Sequence, residues 1–498
     1  MSYLGPNNAL AWAHFRLRGG WSRSAAFAGG ALVVLLMLIV GLTRLNPADA
    51  SRILYGWSTG LLVLQAAVLV VYIPGRISTA IRQDIQTKLI ESHRLMPTPP
   101  LEAISGYVVG AALQPLLLSA ALFLLGVYTC HGAALELSRW VMATGVLLAF
   151  AGFVWVLSAY VSFAARIGPA LMFMPLFLLP ALVGGTGGLA TLPGVLVLLS
   201  PMIGQSVFDL RGVTAPGSVP TLPAVYAIAL AAQVYFAAIC FIAAGRKYRS
   251  SDAAGVDALL GLLLLAGWTG VTVIGLRGWE DYRPAAWRGW DSGAGARVIA
   301  SLIVALLFAV TPVAASAWEH ARWRRHERLR DPAPMRRPLP AALVLVVATL
   351  LAVAIPYVEP ELDIPQFRAR LGWSAGVIAV TLAGLYFLYA FAYSLRPRAG
   401  VVAFLWVMVT WGGPVMADLV RFGFADKPDA EPLATMASGS PLGALVILWD
   451  DANHRRALDP LAGLILLAAI NAIPLAAWLT LRLRERRAAG ALDAGVSG

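Results

Sequence analysis

Arg76 to Gly110 reads RISTAIRQDIQTKLIESHRLMPTPPLEAISGYVVG, a polar, helix-prone stretch between two apolar runs that are each long enough to cross a membrane. Arg82, Asp84, Lys88, Glu91, His93 and Arg94 supply its charge. Ile77, Ile81, Ile85, Leu89, Ile90 and Leu95 recur at intervals of mostly four residues, which sets them along one face of a helix. The pattern predicts an amphipathic helix of about four turns. Met96-Pro97-Thr98-Pro99-Pro100 then ends it, because proline removes a backbone donor and collides with the preceding turn. A charged helix and a stiff proline corner that feed straight into an apolar run suit a part that takes force from a soluble partner and passes it into the membrane. A solvated loop without a partner is the plainer alternative.

The surrounding composition decides the class. At 59% hydrophobic and 13% charged, with apolar runs recurring from end to end, the 498 residues do not make a soluble globule. They read as an all-α, polytopic helical membrane protein. The net charge of +12 sits mostly beside the apolar runs, where it sets orientation, so no nucleic-acid partner is expected. Cys130 and Cys240 are the only cysteines and form neither a disulfide framework nor a metal-type spacing. No small-residue cleavage pattern follows the first apolar run, so that run is expected to serve as its own insertion signal.

Twelve spans are expected, at 25–44, 54–74, 103–129, 138–165, 169–184, 222–245, 256–276, 297–317, 339–358, 371–395, 400–421 and 459–482. With the N-terminus inside, 24 of the 38 lysines and arginines fall on the inner side, which puts both termini in the cytoplasm. Residues 1–24 are expected to form an N-terminal amphipathic interfacial helix, with Ala9, Trp12 and Phe15 on one side and His14, Arg16 and Arg18 elsewhere. Gly184-Gly185-Thr186-Gly187-Gly188 interrupts an apolar run that resumes towards Ser200-Pro201, so 186–205 reads as re-entrant. Ser440-Pro441 places a second such segment at 437–449.

The repetition suggests a duplication. At an offset of 232, Ala151, Gly152, Ser162, Arg166 and Gly168 match Ala383, Gly384, Ser394, Arg398 and Gly400. The expected organisation is two parallel six-helix repeats, 25–250 and 251–488, followed by a C-terminal tail, 489–498. Each repeat carries a charged cytoplasmic segment, 76–102 in the first and 318–338 in the second. The latter again pairs a charged helix with a proline-rich corner, EHARWRRHERLRDPAPMRRPLP.

The order of charged helix, Thr98-Pro99, Leu101-Glu102-Ala103-Ile104 and Gly106 at the mouth of the next span resembles the ABC-2 family of ABC transporter permeases. The family's usual Glu-Arg-Glu reads Arg82-Gln83-Asp84 here, and Tyr107 stands where Lys is frequent. The resemblance is clearer over residues 1–250 than over 251–498. It implies the permease subunit of an ATP-driven exporter in a bacterial inner membrane, with a hydrophobic or amphiphilic substrate. It also implies a separate ABC ATPase subunit as partner, ATP and Mg being bound there and no cofactor or catalysis belonging to this chain. The residues expected to couple to that ATPase are Arg82, Asp84, Lys88, Glu91, His93, Arg94, Thr98, Pro99 and Glu102, with Glu319, Arg324, Arg325 and Arg328 in the second half.

The residues themselves agree that an ATPase would have to be another polypeptide. Lys88, Lys247 and Lys427 are the only lysines and none follows a phosphate-cradling glycine loop. The arginines after Glu319 would serve equally as a positive-inside anchor that attracts anionic membrane lipid. His320 and His326 are six apart and do not share a helical face, so no metal site is expected there. Glu280-Asp281 and Asp450-Asp451 are acidic pairs of outer loops. They keep open a membrane-embedded glycosyltransferase-like enzyme acting on lipid-linked sugar. A secondary transporter is the other alternative, against which stands the scarcity of ionisable residues within the spans.

Overall fold

The computed structural model describes residues 8–17, 19–95, 98–165, 194, 197–198, 222–250, 254–278, 293–329, 337–358, 365–393, 399–414, 417, 439–449 and 460–496. Regular structure among them is entirely helical. Nine helices among the described residues are long and apolar enough to cross a membrane, which makes this a membrane-embedded helical protein. Helices suit that setting because each one satisfies its own backbone donors and acceptors where no water is available. The expected span 169–184, the re-entrant segment 186–205 apart from residues 194, 197 and 198, and both acidic pairs lie outside the described residues. The expected span 339–358 contains a shorter helix, Ala341–Val353, followed by a 3-10 turn at Pro356–Val358.

The chain divides into two compact units. One takes in Met1–Ala190, Val195–Gly255 and Gly278–Asp291, the other Thr191–Gly194, Val256–Arg277 and Ser292–Gly498.

The first unit opens with α1 (Ala9–Leu17), shorter than the interfacial helix expected over 1–24, because the first long helix, α2 (Gly20–Leu45), already begins at Gly20. After the 3-10 turn Pro47–Asp49 come α3 (Ala50–Ala66), a π turn over Ala67–Tyr72 and α4 (Ile73–Gln86). These join into one helix of 40 residues. The π turn has a local cause. Ile73 N–H bonds back to Val68 O, and Pro74 has no N–H to offer the next carbonyl, that of Leu69. The indole of Trp155 donates to Leu69 O at 2.6 Å and so supplies the missing partner.

The remaining helices of this unit are α5 (Leu89–Leu95), α6 (Pro100–Gly132), α7 (Leu137–Ala165) and α8 (Leu222–Arg249). Ile39, Leu61, Leu69, Ile73, Ile77, Ile81, Ile104 and Leu122 are fully buried at its centre. Polar seams register the helices against one another. Ser58 donates to Thr129 Oγ1 at 2.9 Å and Gln65 to Ser119 Oγ at 3.0 Å between α3 and α6. Ser158 donates to Pro74 O at 2.9 Å and Ser162 to Ser78 Oγ at 3.0 Å between α7 and α4.

The second unit contains α9 (Ala258–Arg277), α10 (Gly293–Leu329), α11 (Ala341–Val353), α12 (Pro365–Ala392) and α13 (Ala399–Val407). A π turn at Met408–Gly412, α14 (Pro441–Trp449) and α15 (Pro460–Val496) complete it. Helices α9 and α10 run antiparallel, as two contacts show: Ala258 N–H on Glu319 Oε1 at 2.9 Å, and Trp268 stacked on Phe308 at 5.0 Å. Helix α14 has nine residues, too few to cross a membrane. It is anchored by Ser440, which donates to Trp411 O at 2.6 Å, and by Trp449, whose indole donates to Ser374 Oγ at 2.9 Å. Helix α15 continues to Val496, through most of the stretch that the sequence assigns to a tail.

Candidate functional site

The charged stretch after the second long helix is not one helix of four turns. Thr87 N–H closes on Gln83 O, Lys88 N–H on Ile85 O, and Lys88 adopts a left-handed φ of 60°, after which α5 starts at Leu89. A left-handed residue just past a helix end is a common stop signal, usually taken by glycine or asparagine. The break divides the expected charges into two groups. Lys88 and Glu91 are exposed, whereas Asp84 is buried and His93 and Arg94 are half-buried.

Asp84 lies seven residues after Ile77 and three after Ile81, so the helix turns it to the same inner face as those two buried isoleucines. Its Oδ2 accepts a 2.6 Å hydrogen bond from the phenol of Tyr107 on α6. His93 Nδ1 lies 3.3 Å from the Tyr107 oxygen and 3.9 Å from Asp84 Oδ2. His14 Nε2 on α1 lies 3.7 Å from the same carboxylate oxygen, and its ring packs on that of Tyr107 with centroids 5.0 Å apart. One buried carboxylate therefore gathers side chains from α1, α4, α5 and α6. A buried polar cluster of this kind helps to fix the relative placement of the elements that carry it.

Two glycines make room for α1 in this cluster. A β-carbon at Gly106 would lie 2.8 Å from Asn8 Oδ1, and one at Gly110 would lie 2.7 Å from the backbone oxygen of Ala11. Spaced four apart on α6, they form a flat strip on which the α1 backbone rests. Asn8 caps α1 by accepting from Ala11 N–H at 3.0 Å and donates to Glu102 O at 2.8 Å. Arg94 reaches from α5 to the far end of the unit's last helix, donating through Nε to Tyr248 O and through Nη2 to Lys247 O at 3.4 Å. A cation on the final carbonyls of α8 opposes the negative end of the helix dipole.

Of the other residues expected here, Thr98 and Pro99 are exposed, and Glu102 is half-buried with its carbonyl taken up by Asn8 and Ser105. Arg82 is half-buried, and its Nε and Nη2 are shielded from solvent with no hydrogen-bond partner among the described residues. In the second unit, Glu319 is turned inward as a helix cap on Ala258 rather than outward. Arg324 donates to His320 O at 3.1 Å and stands 5.7 Å over the Trp478 ring, while Arg325 is exposed. The side chain of Arg328 lies outside the described residues. No group of three His, Cys, Asp or Glu residues that could hold a metal ion occurs among the described residues.

Sequence reasoning placed Asp84, His93 and Arg94 in one stretch but missed Asn8, His14 and Tyr107 as their partners. The i, i+4, i+7 spacing of Ile77, Ile81 and Asp84 was the available signal for an inward carboxylate, and the Gly106 and Gly110 pair was the signal for a docked helix. No family model, curated protein or solved structure matches this chain.

Proposed function

We propose that this chain is the membrane-spanning permease subunit of an ATP-driven exporter of the ABC-2 kind, moved by a separate ATPase subunit that binds ATP and Mg. The observation that carries this reading is the arm from Ile73 to Leu95. Its outer edge at the break exposes Lys88 and Glu91, while its inner face is tied through Asp84, His93 and Arg94 to α1, α6 and α8. An arm so anchored transmits a push to three neighbouring helices instead of bending under it. The second arm of the proposal is the polar end of α10, a 37-residue helix that carries Arg324 and Arg325 well past its apolar part. The predominantly apolar helices suit a hydrophobic or amphiphilic cargo. The excess of Lys and Arg on one side supports a bacterial inner-membrane protein with both termini in the cytoplasm.

Affinity purification of the tagged full chain from host membranes tests the reading. An ATPase with phosphate-loop motifs is expected to co-purify and to turn over ATP. The combined Lys88→Glu and Glu91→Lys variant, with unfolding unchanged, is expected to lose both. Full partner retention and ATP turnover in that variant would overturn the proposal.

A further inference from the structure

We propose that the turn joining α1 to α2 is a binding site for the phosphate of an anionic phospholipid headgroup. An open cleft of about 570 Å³ lies there, walled by Trp12 and Trp21 and bordered by Arg16, Ser22 and Arg23. The walls are held in place from below. Phe15 is 1% exposed and meets Trp12 at 5.9 Å and Trp21 edge-on at 5.0 Å between ring centroids. Arg16 stands over the Trp12 ring at 5.0 Å, so its guanidinium is fixed at the rim.

The backbone of the turn is specialised for this shape. Gly19 has φ 104° and Gly20 φ 59°, conformations that glycine adopts without strain. A β-carbon on Gly19 would run into the Arg23 side chain, so the missing side chain is what lets Arg23 fold across the turn. Two arginines are thereby brought to one opening.

Among the described residues, no carboxylate neutralises their charge. No aspartate or glutamate occurs before Asp49, and among the described residues neither Arg16 nor Arg23 is ion-paired to a carboxylate. The ligand chemistry that answers two guanidinium groups and a hydroxyl is a phosphate, which accepts several charge-assisted hydrogen bonds at once. The source of that phosphate follows from position. Trp21 is the second residue of a long apolar helix and exposed, and Trp12 and Leu17 are exposed beside it. Tryptophan and arginine at the end of a spanning helix sit at headgroup depth, where phospholipid phosphate is far more concentrated than any soluble anion.

The inference rests on Gly20–Leu45 crossing the membrane and is independent of the ATPase reading. Its test uses the full chain in nanodiscs that contain equal parts phosphatidylglycerol and phosphatidylcholine, with the lipid retained on extraction counted by native mass spectrometry. The wild type is expected to retain phosphatidylglycerol preferentially. Each arginine is worth roughly fivefold in that preference, so Arg16→Gln with Arg23→Gln should lower it by roughly twentyfold or more. Arg44→Gln, at the other end of α2, should leave it unchanged. Protection of the buried Cys130 and Cys240 from maleimide confirms that each variant is folded. Equal enrichment in the double variant, or no lipid preference in the wild type, overturns the proposal. Displacement of the lipid by millimolar glycerol phosphate would assign the site to a soluble phosphate and overturn it as well.

Discussion

The phenol of Tyr107 donates to the carboxylate of Asp84 at 2.6 Å, and both groups are buried. This one bond joins the C-terminal end of a 40-residue helix to the first turns of the next long helix. The proline corner lies between them in sequence, so the corner's ends are held together by the fold and not by the corner's own stiffness. A load applied near Lys88 would reach α6 through Asp84 and Tyr107 before it reached the prolines.

Replacing Tyr107 by phenylalanine leaves the Asp84 carboxylate buried without its shortest hydrogen bond, which costs about 1–3 kcal/mol. Denaturant unfolding in detergent, followed by maleimide access to Cys130 and Cys240, should show that loss. The double variant with Asp84→Asn should be less destabilised than the two single effects together. Additivity within about 0.5 kcal/mol would show that the two groups are not coupled.

At Gly110, valine has no room, because its β-carbon would meet the Ala11 backbone, which cannot swing aside as a side chain would. Gly110→Val should detach α1, with faster hydrogen exchange over residues 9–17 and little change in α7. Gly56→Ala, at a position with open space around it, is the matched control and should change neither.

The bond from Trp155 to Leu69 O is predicted to exist because Pro74 cannot make it. Trp155→Phe should therefore destabilise the π turn by about 1–3 kcal/mol and raise exchange at the amides around it. Adding Pro74→Ala restores an N–H and should recover most of that loss. If Pro74→Ala instead worsens the Trp155→Phe variant, the account of the π turn is wrong.

Glu319 and Asp257 both serve the first turn of α9, Glu319 through Ala258 N–H and Asp257 by accepting from Leu260 N–H at 2.8 Å. Glu319→Ala should cost about 0.5–2 kcal/mol, the usual loss on removing a helix cap. The change should appear as fraying of Ala258–Leu260 in hydrogen exchange. A Glu319→Lys variant that leaves this end intact would return Glu319 to the solvent-facing charges.

Much of the helical plan was legible beforehand. Apolar runs at 25–44, 103–129 and 138–165 predicted long helices that the structure contains as Gly20–Leu45, Pro100–Gly132 and Leu137–Ala165. Helix ends were less legible, because polar residues can prolong a helix beyond its apolar part, as Arg76 to Gln86 and Glu319 to Leu329 do. The break at Lys88 was invisible, since lysine carries no turn signal, yet it adopts a left-handed backbone there.

Composition and periodicity by themselves determined that this protein is helical and membrane-embedded, because hydrophobicity and backbone hydrogen bonding in lipid act on each segment locally. Only the tertiary structure decided which charges face inward. Asp84 and Glu319 look like solvent-exposed charges in the sequence, yet each is held by a partner from a distant segment: Tyr107 for one and the backbone of Ala258 for the other. Which side chain supplies a hydrogen bond at such a site depends on how helices pack across long sequence separations, and no local pattern encodes that.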